Sequence, residues 1–262
     1  MKKTGTDVSA LRREGETVNE LLGGRIRIFQ KEKGYRFSVD AILLVHFINL
    51  KKGDAVIDLG TGSGVIAIIL AQRKECGRVV GVDIQEELVD MAKRSVQLNK
   101  LHEKVAICRG DVRNIENLFA SKSFNVAVFN PPYRKLKSGR INPSNQKSIA
   151  RHEIRATLRD FLKAAEYVLK KSGRTYIIYP ATRMVELLCS MRISGIEPKR
   201  MRIVHSHDAS RGEFILVEGI KSGREEMEVM QPLFIYSDGG KYTEAMTRIF
   251  REVSLFPKNA AG

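Results

Sequence analysis

Val56-Ile-Asp-Leu-Gly-Thr-Gly-Ser-Gly64 reads as a buried strand that runs into a glycine loop, and the apolar run 65–73 behind it reads as a helix. Glycines at a strand-to-helix turn let a ligand approach the backbone, and the helix start offers free N–H groups. Gly62-x-Gly64-x-x-Ala67 fits a dinucleotide-type fingerprint, and Asp83 follows about twenty residues on, as that fingerprint requires. A carboxylate there can take both hydroxyls of a ribose. The stretch therefore predicts a site for an adenosine-containing cofactor and leaves open which one.

Outward from this point the chain alternates strand and helix. Strands are expected at 55–59, 78–82, 105–108, 124–129 and 174–179, with helices at 65–73, 86–100, 156–171 and 181–194. Apolar strands alternating with helices predict a mostly parallel sheet covered on both faces. The last two strands, near 198–204 and 213–220, have no helix between them, which predicts one antiparallel strand and seven in all. Residues 1–24 read as a flexible basic arm. Residues 25–50 read as a hairpin, with strands at 25–30 and 35–37, followed by a helix from 39 to about 49 with Ser38 as its N-cap. Residues 51–220 form the core, and 221–262 a C-terminal extension with a short strand at 233–236 and a helix at 243–253.

Composition narrows the class. The 262 residues carry 43% hydrophobic side chains, ordinary for a globular domain. Apolar runs such as 65–71 are far too short to span a bilayer, and the polar N-terminus lacks the apolar stretch of a signal peptide. Three scattered cysteines give neither a disulfide framework nor zinc spacing, which fits a reducing cytoplasm. His205-Ser-His207 has only Asp208 beside it and reads as a polar loop, so no metal is expected. The net charge of +15 points to a phosphate-rich partner. Residues 134–174 hold twelve Lys/Arg against three Asp/Glu. Within them Arg134, Lys135, Lys137 and Arg140 sit in a loop, and Arg151, Arg155 and Arg159 recur at i, i+4, i+8 along one helix face. These seven are the candidate phosphate-contacting residues, RNA-binding if the partner is RNA; the competing reading is a solvated face.

That basic cluster follows Asn130-Pro-Pro-Tyr133, which closes the apolar strand Phe124–Phe129. Two prolines fix φ and remove two N–H donors, leaving a stiff segment rich in acceptors. The Asn130 amide oxygen and the Pro131 carbonyl can converge on one NH2 group, and Tyr133 offers a flat face to a planar ring. An amine conjugated to a ring or carbonyl is a poor nucleophile. Two acceptors on its hydrogens free its lone pair, a use of pre-placed dipoles. Gly110-Asp111-Val112 closes the third strand, where a carboxylate can accept from an adenine amine. Both features favour S-adenosylmethionine over a nicotinamide cofactor.

Together, the stretch 56–64, Asp83, Asp111 and Asn130-Pro-Pro-Tyr133 resemble the motifs of class I S-adenosylmethionine-dependent N-methyltransferases. Gly34-Tyr-Arg-Phe-Ser-Val-Asp40, Ala150-Arg-His-Glu153, Glu197-Pro-Lys-Arg200 and Leu233-Phe-Ile-Tyr236 with Tyr242-Thr resemble the bacterial valine-tRNA adenine-N6 methyltransferases and their relatives. The resemblance implies a Rossmann-like fold and cofactor contacts from Phe37, Ser38, Asp40, Asp58, Gly60, Thr61, Gly62, Gly64, Asp83, Ile84, Asp111, Val112 and Asn130. It implies Asn130, Pro131, Pro132 and Tyr133 as the catalytic segment and S-adenosylhomocysteine as product. The implied target is an adenine of RNA, tRNA foremost. An rRNA base and glutamine-N5 methylation of a protein are the alternatives. DNA methylation needs a target-recognition domain for which little chain remains. A dehydrogenase has no evident use for the Asn-Pro-Pro-Tyr segment, whose intact state also argues against a non-catalytic RNA-binding protein.

Overall fold

The computed structural model describes residues 8–21, 23–32, 39–73, 75–131 and 156–254. Its strands are β1 (Glu16–Leu21), β2 (Ile26–Lys31), β3 (Asp54–Leu59), β4 (Cys76–Asp83), β5 (Val105–Arg109), β6 (Phe124–Phe129), β7 (Leu169–Pro180), β8 (Ile196–His205), β9 (Gly212–Lys221), β10 (Glu228–Val229) and β11 (Leu233–Phe234). β1 and β2 form a two-stranded antiparallel hairpin of their own. The others form a nine-stranded sheet in the order β10-β8-β9-β7-β6-β3-β4-β5, with β11 also paired to β8. Seven of these strands are the expected core strands, β11 falls within the short strand expected at 233–236, and β10 is a two-residue addition; both short strands pair with β8. β9 runs antiparallel to both β7 and β8, because only a tight connection joins β8 to β9.

The strands read as apolar because both sheet faces are covered. β3 is buried along its whole length. Its side chains alternate between two cores. Val56 joins the core beneath the helices Val39–Phe47, Val65–Ala71, Glu86–Leu98 and Glu244–Ser254. Ile57 and Leu59 join the opposite core, beneath the helices Leu158–Val168 and Met184–Ile193. Thr157 and Asp160 start the Leu158–Val168 helix with a reciprocal capping box. That helix ends at Val168, short of the expected 171, because Leu169 is extended at φ −73°, ψ 135° and opens β7.

The N-terminal arm departs from expectation. Val8–Leu11 is a helical turn and Glu16–Leu21 is a strand, so the hairpin pairs β2 with the segment before it. The expected return strand at 35–37 and the Ser38 cap lie outside the described residues. Acidic side chains fix the arm. Glu16 accepts two hydrogen bonds of 2.7 Å from the Arg94 guanidinium. Arg94 also donates to the Leu11 carbonyl at 2.7 Å, and Arg13 reaches Asp90 at 2.8 Å. Arg94 lies over the Phe29 ring, 5.0 Å from its centroid. These contacts attach the hairpin to the Glu86–Leu98 helix.

Candidate active site

Strand register assembles the site. Leu59 of β3 pairs with Val82 of β4 on one side and Phe129 of β6 on the other. Asp83 pairs with Arg109 of β5. The segments following these residues therefore emerge along one edge of the sheet. Strand order reverses between β3 and β6, where open α/β sheets leave a crevice for ligands. The Gly60–Gly64 loop, Asp83, Asp111 and Asn130 all stand at that edge.

The glycine loop is held from below. The N–H groups of Gly60 and Thr61 both donate to the Val82 carbonyl, at 2.8 and 2.9 Å. Gly62 has φ +56°, and a Cβ there would meet nothing within 4 Å, so its exposed side is open to a ligand. Gly64 has φ +83°, and a Cβ would lie 3.1 Å from that of Ala92, so glycine also sets the packing of the next helix.

Asp83 is 7% exposed and both its oxygens are engaged. Oδ2 accepts the Gly62 N–H and Oδ1 accepts the Gln85 N–H, each at 2.9 Å. Burial raises its pKa from the ordinary carboxylate range, opposed by those hydrogen bonds. Its carboxylate thus ties the glycine loop to the start of the Glu86–Leu98 helix. Ile84 follows at the strand end, half-buried.

Asp58 lies deeper, at 1% exposure. The Thr61 hydroxyl donates to its Oδ2 at 2.6 Å. Burial pushes its pKa up to about 7; the Thr61 hydroxyl works against that rise and the neighbouring Asp83 charge adds to it. Its carboxylate is also within the influence of the Ala67 N–H in the first turn of the Val65–Ala71 helix, which likewise opposes the rise.

Asp111 follows β5 at that edge, with its carboxylate held by neighbouring groups. It caps the short helical segment Val112–Asn117 by accepting the Arg113 N–H at 2.9 Å. The Arg113 guanidinium also grips it from the side, with Nε to Oδ2 at 2.8 Å. That guanidinium holds its carboxyl below the usual range. Val112 is buried in the core beneath this segment.

Asn130 directly follows β6 and is half-buried, and Pro131 beyond it is buried. Its Nδ2 donates to Asp40 Oδ2 at 2.8 Å. Asp40 opens the Val39–Phe47 helix and is 4% exposed. Ninety residues of chain separate these two partners, and no local spacing signals their contact. Phe37, Ser38, Pro132, Tyr133, Arg134, Lys135, Lys137, Arg140, Arg151 and Arg155 lie outside the described residues. Arg159 is exposed on the Leu158–Val168 helix.

The two histidines have other partners. His205 packs against Phe234 and its Nδ1 meets the Ser210 carbonyl at 2.7 Å, while His207 packs against Tyr236. Among the described residues no group of three His, Cys, Asp or Glu side chains is arranged to hold a metal. No helix among them is long and apolar enough to cross a membrane.

Comparison with known proteins places this geometry. Residues 50–231 match the family model described as a methyltransferase domain. A tRNA1(Val) (adenine(37)-N6)-methyltransferase of Porphyromonas gingivalis W83 is 31% identical in an alignment of 161 positions that covers 55% of this chain and 62% of that protein. The chain thus spans under two thirds of that relative's length. A protein of the same name from Vibrio campbellii is 24% identical over 224 residues, covering 86% of this chain and 90% of its own. Among solved structures, a predicted O-methyltransferase of Agrobacterium tumefaciens superimposes with a TM-score of 0.66 at 18% identity, over 82% of this chain and 96% of its own.

Proposed function

We propose, from the premise that this chain belongs to the methyltransferase-domain family, that it methylates N6 of an adenine in tRNA. The observation that carries this reading is Asn130 at the end of β6, beside the crevice edge that Asp58, the glycine loop and Asp83 line. The tRNA adenine-N6 activity named for the relatives supports the same target. The cofactor is S-adenosylmethionine.

The residues present fit that cofactor. The Asp58 carboxylate, at the end of β3 below the glycine loop, suits an ammonium donor. Gly62 leaves space where a side chain would stand, and the Asp83 carboxylate has acceptor capacity beyond its two backbone contacts. Asp58 and the glycine loop would hold the methionine portion, Asp83 the ribose, and Asp111 with Val112 the adenine. When bound, the cofactor supplies an electrophilic methyl on a sulfonium centre. The Asn130 amide oxygen and the Pro131 carbonyl would hold the target NH2 through its hydrogens and turn its lone pair outward. Tyr133 would stack on the target base. The released proton passes to solvent. A base inside a helical stack cannot reach such a crevice, so the target adenine must be unpaired or flipped out. A cytoplasmic setting belongs to the same reading.

Incubation with methyl-labelled cofactor and total RNA, followed by nucleoside mapping, tests the target. N6-methyladenosine in tRNA is expected. Label on protein glutamine instead would overturn the assignment.

Two expected results follow from the electrostatics. Asp58 is about half protonated near neutral pH in the free protein. A bound ammonium favours the ionised form, so binding releases a proton. Affinity for S-adenosylhomocysteine should then rise between pH 6 and 8, with the slope lost in Asp58→Asn. Titration calorimetry at several pH values reads this directly; a wild-type affinity flat with pH would place the ammonium elsewhere. The basic cluster makes a second prediction. RNA affinity should fall steeply with salt, and reversing Arg134, Lys135, Arg151, Arg155 and Arg159 should flatten the slope by roughly 0.7–0.9 per lost phosphate contact. An unchanged slope would mean these cations only meet solvent.

A further inference from the structure

We infer that Asp40 is a positioning residue for the methyl-transfer step: it fixes which way the Asn130 side-chain amide faces. The inference rests on the function proposed above for its catalytic consequence, though not for the contact itself. An Asn side chain presents two nearly isosteric ends, an oxygen that accepts and an NH2 that donates. Only one orientation serves a target amine, because the amine must be met by the oxygen. The carboxylate of Asp40 favours that orientation, since a carboxylate accepts and its Oδ2 lies 2.8 Å from Asn130 Nδ2. The Asp40 end of the pair is itself held. It is 4% exposed, its Oδ1 accepts the Ala41 N–H at 3.1 Å, and the helix it opens packs in the main core. A fixed acceptor on a rigid element therefore directs the NH2 toward itself and turns the oxygen away. Orienting that oxygen before the substrate arrives removes a reorganisation cost from the transition state.

The same contact changes what a carboxylate at position 130 would do. Asn130→Asp keeps an acceptor for the target amine, which by itself predicts a mild effect. Beside Asp40, however, it sets two carboxylates in contact, and like charges at that distance cannot both stay ionised comfortably. The variant should be at least tenfold slower than wild type. Asp40→Asn combined with Asn130→Asp reverses the pair: the new amide at position 40 donates to the new carboxylate at position 130, whose other oxygen takes the target amine. This double variant should recover at least tenfold over Asn130→Asp alone.

Single-turnover methyl transfer and S-adenosylhomocysteine affinity, measured on the same variants, test the role. Asp40→Asn is expected to slow transfer by about 10–100-fold in the wild-type background and by less than about twofold in the Asn130→Ala background. Any loss of cofactor affinity should be smaller than the loss in transfer rate. Equal slowing in both backgrounds, loss confined to cofactor affinity, or Asn130→Asp as fast as wild type would overturn the inference. A separate readout needs neither substrate nor cofactor. In the free protein the Asn130 side-chain NH2, identified in 15N spectra by its absence from Asn130→Ala, should exchange slowly with solvent. Exchange should quicken at least tenfold in Asp40→Ala; an unchanged rate overturns the inference. If the wild type methylates no RNA adenine while this protection is present and depends on Asp40, the proposed target fails and the positioning contact stands.

Discussion

Asn130→Ala is expected to slow methyl transfer by about 10²–10³, the loss seen when one preorganised polar group at a reacting centre is deleted. The fold should survive, because Asn130 is only half-buried and follows a strand whose core residues are untouched. Cofactor affinity should change little, because the glycine loop, Asp58 and Asp83 keep their mutual contacts. The substitution thus acts on the transition state more than on either ground state. In kinetic terms kcat and kcat/KM should fall together. Single-turnover rates on a verified RNA substrate decide the matter. A variant as fast as wild type would exclude the mechanism while leaving the family membership intact.

Asp83→Ala should act on the opposite side of that division. Its carboxylate would hold the ribose hydroxyls, and it also clamps the Gly62 N–H and the Gln85 N–H at 2.9 Å. Hydrogen bonds to a charged group contribute about 1.5–3 kcal/mol each. Losing two at the ribose, together with the clamp on the loop, should weaken S-adenosylhomocysteine binding by at least about a hundredfold. Stability should suffer much less. Burial already raises the Asp83 pKa, so deleting the carboxylate relieves a desolvation cost that offsets part of the lost contacts. Asp83→Asn should be milder, since an amide oxygen can still accept one N–H. Calorimetric binding within a factor of two of wild type for Asp83→Ala would move the ribose contact to another residue.

Local features of the chain made the core of this architecture readable. A strand, three glycines and an acid recur at a fixed spacing along the chain, and the structure places Gly60, Gly62, Gly64 and Asp83 together. The apolar strands β3, β4, β6 and β7 were legible because parallel pairing with both faces covered leaves little polar side to dilute the signal. Long-range polar contacts were not. Asp40 meets Asn130 across ninety residues, and Arg113 takes the flank of Asp111 because a short helical segment turns it back. The hairpin was placed one strand too late for a related reason. Glu16–Leu21 is polar, and what holds it is Arg94 on a helix far along the chain.

That last contact bears on how the chain can be shortened. By composition, residues 1–24 look like a tail to be trimmed when a compact fragment is wanted. Deleting them removes Glu16 and abandons the Arg94 guanidinium, whose side chain is 11% exposed, against Phe29 with Asp90 as its remaining acid. It also strips β2 of its only β-sheet partner among the described residues. A fragment starting at residue 25 would therefore present an unpaired strand edge beside a half-compensated cation, on the helix whose first turn Asp83 anchors. Such an edge invites self-association, so a truncated protein that aggregates or binds cofactor poorly would be reporting on its missing hairpin rather than on the crevice.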